Sequence, residues 1–75
     1  MDWRKLISVD PGIMHGTACF TGTRVPVSVV LDNLAAGEST STVLSEYPTL
    51  GEEHIRAAIA YAAELAHERV IPLSA

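Results

Sequence analysis

The chain has 75 residues, a net charge of −4 from nine acidic and five basic side chains, and one cysteine. Because a chain this short buries only about 60% of its unfolded surface, we expect a single domain over residues 1–75 that gains stability by forming a homodimer. The single cysteine excludes an internal disulfide, and the lack of a signal-peptide apolar region or of a ~20-residue apolar run predicts a cytoplasmic protein without a membrane segment.

The first 25 residues are typical of a short β-ribbon. Strands are predicted over Trp3–Val9 and Ala18–Thr21, and Asp10-Pro11-Gly12 between them is a strong turn signal. Since an isolated two-stranded ribbon is barely stable in water, this one must lie on the helices or pair with another ribbon. Trp3 and Phe20, its large apolar side chains, are therefore candidate dimer or partner contacts.

The segment Thr21–Val27 is predicted to join the ribbon to the first helix. Val25 is biased toward an extended backbone by the proline after it, and Pro26 suits the start of a helix because its φ is fixed and it has no N–H to satisfy. Arg24 has two interpretations, a structural ion pair or a contact presented to a partner. We favour the ion pair, for which the candidate carboxylates are Asp10, Asp32 and Glu46.

Helical periodicity replaces the strand signals after residue 26. Apolar residues at i, i+3, i+4 and i+7 predict a first helix over Val27–Ala36, which Gly37 ends. Ser39 or Thr40 is expected to cap a second helix of one or two turns, which Pro48 ends.

A third helix is predicted from a capping box, formed by Thr49 and Glu52, to about Glu68. Three short helices with a tight turn between the second and the third fit a helix-turn-helix arrangement. The predicted fold is therefore mainly α, with a ribbon over 1–25, a three-helix body over 26–68 and a short tail over 69–75. The core face of the third helix is expected to be the apolar stripe of Ile55, Ile59, Ala62 and Leu65–Ala66.

No combination of residues in the sequence predicts catalysis. The histidines, His15, His54 and His67, have neither the number nor the spacing that a zinc site needs. Cys19 stands between apolar neighbours, which suggests an inert, buried thiol, and no glycine loop could cradle a phosphate. We therefore predict no catalytic, cofactor-binding or metal-binding residue, and a protein that is not an enzyme.

The helix-turn-helix pattern makes DNA an alternative partner. Residues at the start of the third helix would then reach base edges, which makes His54 and Arg56 candidate DNA contacts. Two acidic residues, Glu52 and Glu53, precede them, and the net charge of −4 opposes the cationic contacts on which DNA affinity depends. DNA is therefore the less favoured partner.

Five motifs that occur in order along the chain resemble the domain-of-unknown-function 433 family. The resemblance runs from about residue 3 to residue 63, and its motifs are Asp10-Pro11, Gly22–Val27, Leu34–Gly37, Tyr47–Leu50 and Ala57–Ala62. The resemblance implies a homeodomain-like three-helix fold with an N-terminal β-ribbon, generally found as a dimer. It also implies similarity to the VapB-type antitoxins of bacterial type II toxin–antitoxin pairs, whose usual partner is a small PIN-like ribonuclease toxin.

From this resemblance we expect a non-enzymatic homodimer that binds a PIN-like toxin and blocks its acidic metal site. Only about seven residues, most of them apolar, follow the third helix. Toxin contact is therefore expected to use the folded surface or the ribbon rather than a tail that wraps around its partner. The alternative is a dimeric helix-turn-helix transcriptional regulator that acts without a toxin.

Overall fold

The computed structural model describes residues 1–9, 12 and 16–68. Its order of elements confirms the predicted fold, mainly helical with an N-terminal antiparallel ribbon. The predicted tail over 69–75, like the turn residues 10 and 11, lies outside the described residues. In chain order the elements are a 3-10 turn (Trp3–Lys5), strands β1 (Ile7–Ser8) and β2 (Cys19–Phe20), and helices α1 (Val27–Ala35), α2 (Thr40–Glu46) and α3 (Glu52–Glu68).

The ribbon lies on the helices. Its strands β1 and β2 are antiparallel, with Ile7 opposite Phe20 and Ser8 opposite Cys19. Ile7 and Phe20 are both buried among residues of the helices. Packing against the helical body is what stabilises strands as short as these, because two strands alone have too little apolar contact.

The first strand is shorter than predicted, because the segment Trp3–Lys5 folds into a 3-10 turn. The carboxylate of Asp2 accepts a hydrogen bond from the backbone N–H of Arg4 at 3.1 Å. The N–H of Leu6 then donates to the carbonyl of Trp3 at 2.9 Å. An aspartate before a turn competes with strand pairing in this way, and the prediction of a strand from residue 3 is wrong for that reason.

Helix α1 begins and ends where its sequence signals predict, within one residue. Pro26 precedes it in an extended conformation, with φ −66° and ψ 142°. Proline fits at this end because a backbone N–H at the start of a helix has no intrahelical acceptor. At the other end, Gly37 adopts φ 91° and donates its N–H to the carbonyl of Leu34, while Glu38 donates to the carbonyl of Asn33. This pair of hydrogen bonds is the Schellman motif, which requires a left-handed residue where the glycine stands.

Helix α2 starts at the predicted serine cap, whereas α3 starts differently from the prediction. The hydroxyl of Ser39 accepts a hydrogen bond from the N–H of Thr42 at 3.2 Å. Helix α3 begins at Glu52, so the predicted capping box, with residue 49 as the cap, does not match the start of the helix. Instead, the N–H of Gly51 donates to Nδ1 of His54 at 2.9 Å. The imidazole therefore takes the place of the glutamate that usually closes such a box.

An apolar cluster joins the ribbon to the three helices. It includes the buried methyl groups of two consecutive alanines of α3, which allow the other elements to approach this helix closely. The largest of its side chains with less than 2% of their surface exposed are Phe20, Val27, Val30 and Val43. The cluster consists of Ile7, Phe20, Val27, Val30, Val43, Leu50, Ile55, Ala57 and Ala58.

The predicted apolar stripe of α3 is only partly buried. Ile55 lies in the core, but Ile59 is 52% exposed and Leu65 is 45% exposed. The helix contacts the core through Ala57 and Ala58. Four residues make slightly more than one helical turn, so the side chain of Ile59 points about 40° further around the helix than that of Ile55. Ile59 is therefore rotated out of the core, and part of the apolar periodicity of α3 faces outward.

Candidate functional site

The joint between ribbon and helix is a tight hairpin held by one threonine. The hydroxyl of Thr23 donates to the carbonyl of Phe20 at 2.8 Å and accepts from the N–H of Val25 at 3.1 Å. The N–H of Thr23 also donates to the carbonyl of Phe20, which closes a four-residue turn. Gly22 occupies the third position of this turn with φ 78°, the positive value that a type II turn needs there.

The chain after this turn runs back along β2. The N–H of Phe20 donates to the carbonyl of Val25 at 3.1 Å, and the N–H of Val27 donates to the carbonyl of Ala18 at 2.9 Å. Between these bonds, Pro26 stands opposite Cys19. These bonds hold the two sides of the hairpin together, and the N–H of Thr21 donates to the carbonyl of Leu6 at 2.8 Å, which attaches the hairpin to the residue before β1.

Arg24 lies at the outer end of this hairpin and is exposed. No ion pair or hydrogen bond joins its guanidinium to another residue in the part of the chain that the structure describes. Neither Asp32 nor Glu46 pairs with it, and Asp10 lies outside the described residues. The arginine is presented to solvent on a fixed backbone.

The two aromatic residues proposed as dimer or partner contacts lie in different environments. Phe20 has no exposed surface and packs edge-on against the imidazole of His54, with ring centroids 5.5 Å apart. It is a core residue, and a surface role for it does not fit this structure. Trp3 is half-buried and packs edge-on against Tyr61, with ring centroids 4.9 Å apart.

A second feature, the N-terminal clasp, holds Trp3 on α3 and consists of Trp3, Arg4, Tyr61 and Glu64. The guanidinium of Arg4 lies 4.6 Å from the centre of the Trp3 ring. Its Nη2 also donates to both carboxylate oxygens of Glu64, at 3.0 and 3.1 Å. No local sequence pattern could have revealed the clasp, because Arg4 and Glu64 are 60 residues apart.

The two candidate DNA contacts at the start of α3 are both engaged within the chain. Nδ1 of His54 accepts the N–H of Gly51, so this nitrogen carries no proton and cannot also donate to the carboxylate of Glu53, 3.5 Å away. The cap-forming bond is the shorter of the two contacts and holds the imidazole at the start of α3. Arg56 is exposed and lies 4.0 Å from Glu52, one helical turn before it. A weak pair at this distance leaves the guanidinium largely accessible.

The outward face of α3 combines acidic and apolar side chains. It begins with Glu52 and continues through Arg56 to Ile59, Ala63 and Ala66, all of them exposed. Near its start, Thr40 of α2 joins Ile55 and three of these residues around a shallow groove. The face carries one arginine, so its chemistry suits an apolar partner better than a row of phosphates.

The described residues contain no group of three or more histidine, cysteine, aspartate or glutamate side chains that could hold a metal ion. Cys19 is buried, and His15 lies outside the described residues. Within the same part of the chain, no helix has the length and apolar character needed to cross a bilayer.

Three helices with a short two-stranded antiparallel ribbon at the N-terminus define a small, mainly helical class of domain, in which a hairpin leads into the first helix. The chain belongs to the family described as Protein of unknown function (DUF433), whose model matches residues 7–62. That match includes the whole hairpin joint and most of α3.

Two proteins illustrate how the chain relates to this family. It is 42% identical over 59 residues to an uncharacterized protein, y4eO, of Sinorhizobium fredii, with 79% of the chain and 27% of that protein aligned. It also matches the crystal structure of a DUF433 member protein from Anabaena variabilis, with 28% identity and a TM-score of 0.78. That match covers 87% of the chain and 64% of the solved one. The chain thus spans about a quarter of its curated relative.

Proposed function

We propose that the chain is a non-enzymatic, antitoxin-like interaction protein. As a homodimer it binds a PIN-like ribonuclease toxin of a bacterial type II pair. The observation that carries this proposal is the chemistry of the outward face of α3. In a DNA-binding helix-turn-helix this face would lie in the major groove, and cationic side chains would supply most of the affinity.

Apolar side chains and one pair of opposite charges occupy that face instead. Glu52 and Glu53 begin the helix, Arg56 is partly neutralised by Glu52, and Ile59 is a large apolar side chain with half of its surface exposed. Next to it, Ala63 and Ala66 offer a shallow apolar surface. Contact with a protein removes such a surface from water, which is the main favourable term in protein association.

The toxin class follows from the resemblance to VapB-type antitoxins. The inhibition is proposed to be stoichiometric: the folded surface of the dimer covers the acidic metal site of the toxin. A homodimer also fits the size of the chain, since small domains are often stabilised by a second subunit. The relatives that the chain matches are longer than it is, so the activity of a complete protein is part of the proposal.

Co-expression with the product of the neighbouring gene tests this function. Size-exclusion chromatography with light scattering should give a complex of the chain and a small nuclease, and titration of the chain should end ribonuclease activity at a fixed molar ratio. A neighbouring product that elutes separately would contradict the proposal. So would a nuclease that stays active in the presence of excess chain.

The second candidate function is a dimeric DNA-binding regulator. The specific observation in its favour is Arg56, which is exposed on the first turns of the helix that follows α2. In that case the chain alone would bind the upstream DNA of its own gene, with an affinity that falls steeply as salt rises. An Arg56→Ala variant would then lose DNA affinity and reduce the salt dependence.

A further inference from the structure

The hairpin end that carries Arg24 is built to hold its position without a partner. Backbone bonds from Phe20 and Val27 fix both strands of the hairpin, and the hydroxyl of Thr23 closes the turn between them. Phe20 anchors the base in the core. A side chain displayed on such a fixed backbone loses less conformational entropy on binding than one on a flexible loop.

Arg24 also differs from the other two arginines that the structure describes. Arg4 makes a two-oxygen contact with Glu64, and Arg56 lies within ion-pair distance of Glu52. Arg24 contacts no carboxylate within the described ranges, although acidic side chains outnumber basic ones in the chain by nine to five. Its guanidinium therefore keeps all five N–H donors available to a group outside the chain.

A single guanidinium restricts the class of acceptor. A phosphate backbone would need several cations, because phosphate affinity is additive in Lys and Arg contacts. A carboxylate on a protein surface needs only one planar guanidinium, which it can bind through two parallel hydrogen bonds. The geometry fits a single specific ion pair.

We propose that Arg24 is the anchoring contact of this protein and binds a carboxylate within an acidic patch of its protein partner. This inference rests on the proposed function, since it names the chemistry by which the partner is recognised. The rigid hairpin carries the guanidinium to the partner, and the apolar face of α3 is not needed for the pair to form.

Three variants test the inference with the neighbouring PIN-like nuclease as the probe. Arg24→Ala should raise the Kd of the complex between the chain and the nuclease at least ~30-fold, because truncating one member of a desolvated charge pair leaves the other charge unpaired. Arg24→Lys should recover only part of the affinity, since an ammonium lacks the planar fork. Lys5→Ala, which removes an exposed positive charge outside the outward face of α3, should change Kd less than ~3-fold. Isothermal titration calorimetry at a fixed salt concentration provides the Kd values.

Stability separates this role from a structural one. Arg24→Ala should keep the circular dichroism spectrum and the Tm of the wild type. In the isolated chain, phenylglyoxal should modify Arg24 faster than the clasped Arg4, and the nuclease should protect it. A lowered Tm, or slow modification in the isolated chain, would show an internal ion pair and overturn the inference.

The binding results also distinguish this inference from the proposed function. A wild-type chain that does not bind the nuclease overturns both. A wild-type chain that binds, together with an Arg24→Ala variant that binds equally well, overturns only the role of the arginine. Loss of binding to upstream DNA with unchanged nuclease binding would show that the acceptor is a phosphate and would likewise overturn the inference.

Discussion

Gly22 shows how a single residue determines the hairpin on which Arg24 stands. Its φ of 78° lies in the region that side chains rarely adopt, and no atom lies within 4 Å of the place where a Cβ would be. The cost of a side chain here is therefore one of backbone conformation alone. For a residue other than glycine, this left-handed conformation costs about 1–2 kcal/mol.

We predict that Gly22→Ala lowers the free energy of unfolding by about 1–2 kcal/mol, as measured by urea denaturation. Gly22→Asn is the matched control, because asparagine adopts the left-handed region more readily than alanine does. The asparagine variant should therefore be the more stable of the two. Equal losses in both variants would indicate that steric contact, rather than φ, determines the choice of glycine.

His54 also has a structural role that depends on one hydrogen bond, which its imidazole accepts from the backbone at the start of α3. His54→Ala removes both this bond and the ring contact with Phe20, and we expect it to reduce the free energy of unfolding by about 1–2 kcal/mol. His54→Gln keeps an acceptor at the third helical position, as in an ordinary capping box, and should lose less. Chemical denaturation of both variants provides the comparison. If the glutamine variant is no better than alanine, then the ring contact is what matters.

At the scale of an element, α3 has two apolar faces with different roles. Ile55 is buried and Ile59 is half exposed, although both belong to one predicted stripe. Ile55→Ala should cost about 2–4 kcal/mol of unfolding free energy, because it leaves a cavity in the core. Ile59→Ala should cost less than ~1 kcal/mol in a dilute, monomeric sample.

Thermal unfolding at several protein concentrations measures both variants of this pair. If a second subunit covers Ile59, the loss in the Ile59→Ala variant will grow with concentration, because binding stabilises the native state by mass action. The loss in Ile55→Ala should not depend on concentration in this way. Equal losses at high dilution would contradict the assignment of the two faces.

The same helix illustrates which features the sequence could predict. The ends of α1 and α2 depend on groups within a few residues, such as Ser39 and Gly37, and local patterns predicted them. The direction that α3 faces depends on where the other elements lie, so a periodic apolar stripe could not distinguish Ile55 from Ile59. The cap of α3 could have been predicted from the sequence, since Gly51 and His54 have capping-box spacing.

The candidate site divides in the same way. The joint over Thr21–Val27 and its extended run into Pro26 were predicted from local backbone preferences. Whether Arg24 pairs within the chain depends on the distances to carboxylates far along the sequence, and the sequence favoured an ion pair that the described residues do not supply. Phe20 is buried because the ribbon packs on the helices. The alternation of apolar and polar residues in two short strands does not determine this packing.

At the scale of the whole molecule, the N-terminal clasp connects the 3-10 turn at Trp3–Lys5 to α3. Arg4 and Glu64 are both partly exposed, and an exposed ion pair contributes only about 0.2–1 kcal/mol. The edge-on contact of Trp3 with Tyr61 removes more apolar surface from water than the ion pair between Arg4 and Glu64 does. The indole Nε1, however, is buried without a hydrogen-bond partner among the described residues, which reduces the net gain.

We therefore predict that the clasp is stabilised by its rings rather than by its charges. Trp3→Ala should lower the free energy of unfolding by about 2–4 kcal/mol, whereas Arg4→Ala should lower it by less than ~1 kcal/mol and lose its effect at high salt. Trp3→Phe keeps an aromatic ring and removes the unpaired N–H, so its loss should stay within about 1 kcal/mol. Urea denaturation at low and high salt measures the three variants. Should Arg4→Ala be as costly as Trp3→Ala, the attachment of the N-terminus to α3 would be electrostatic instead.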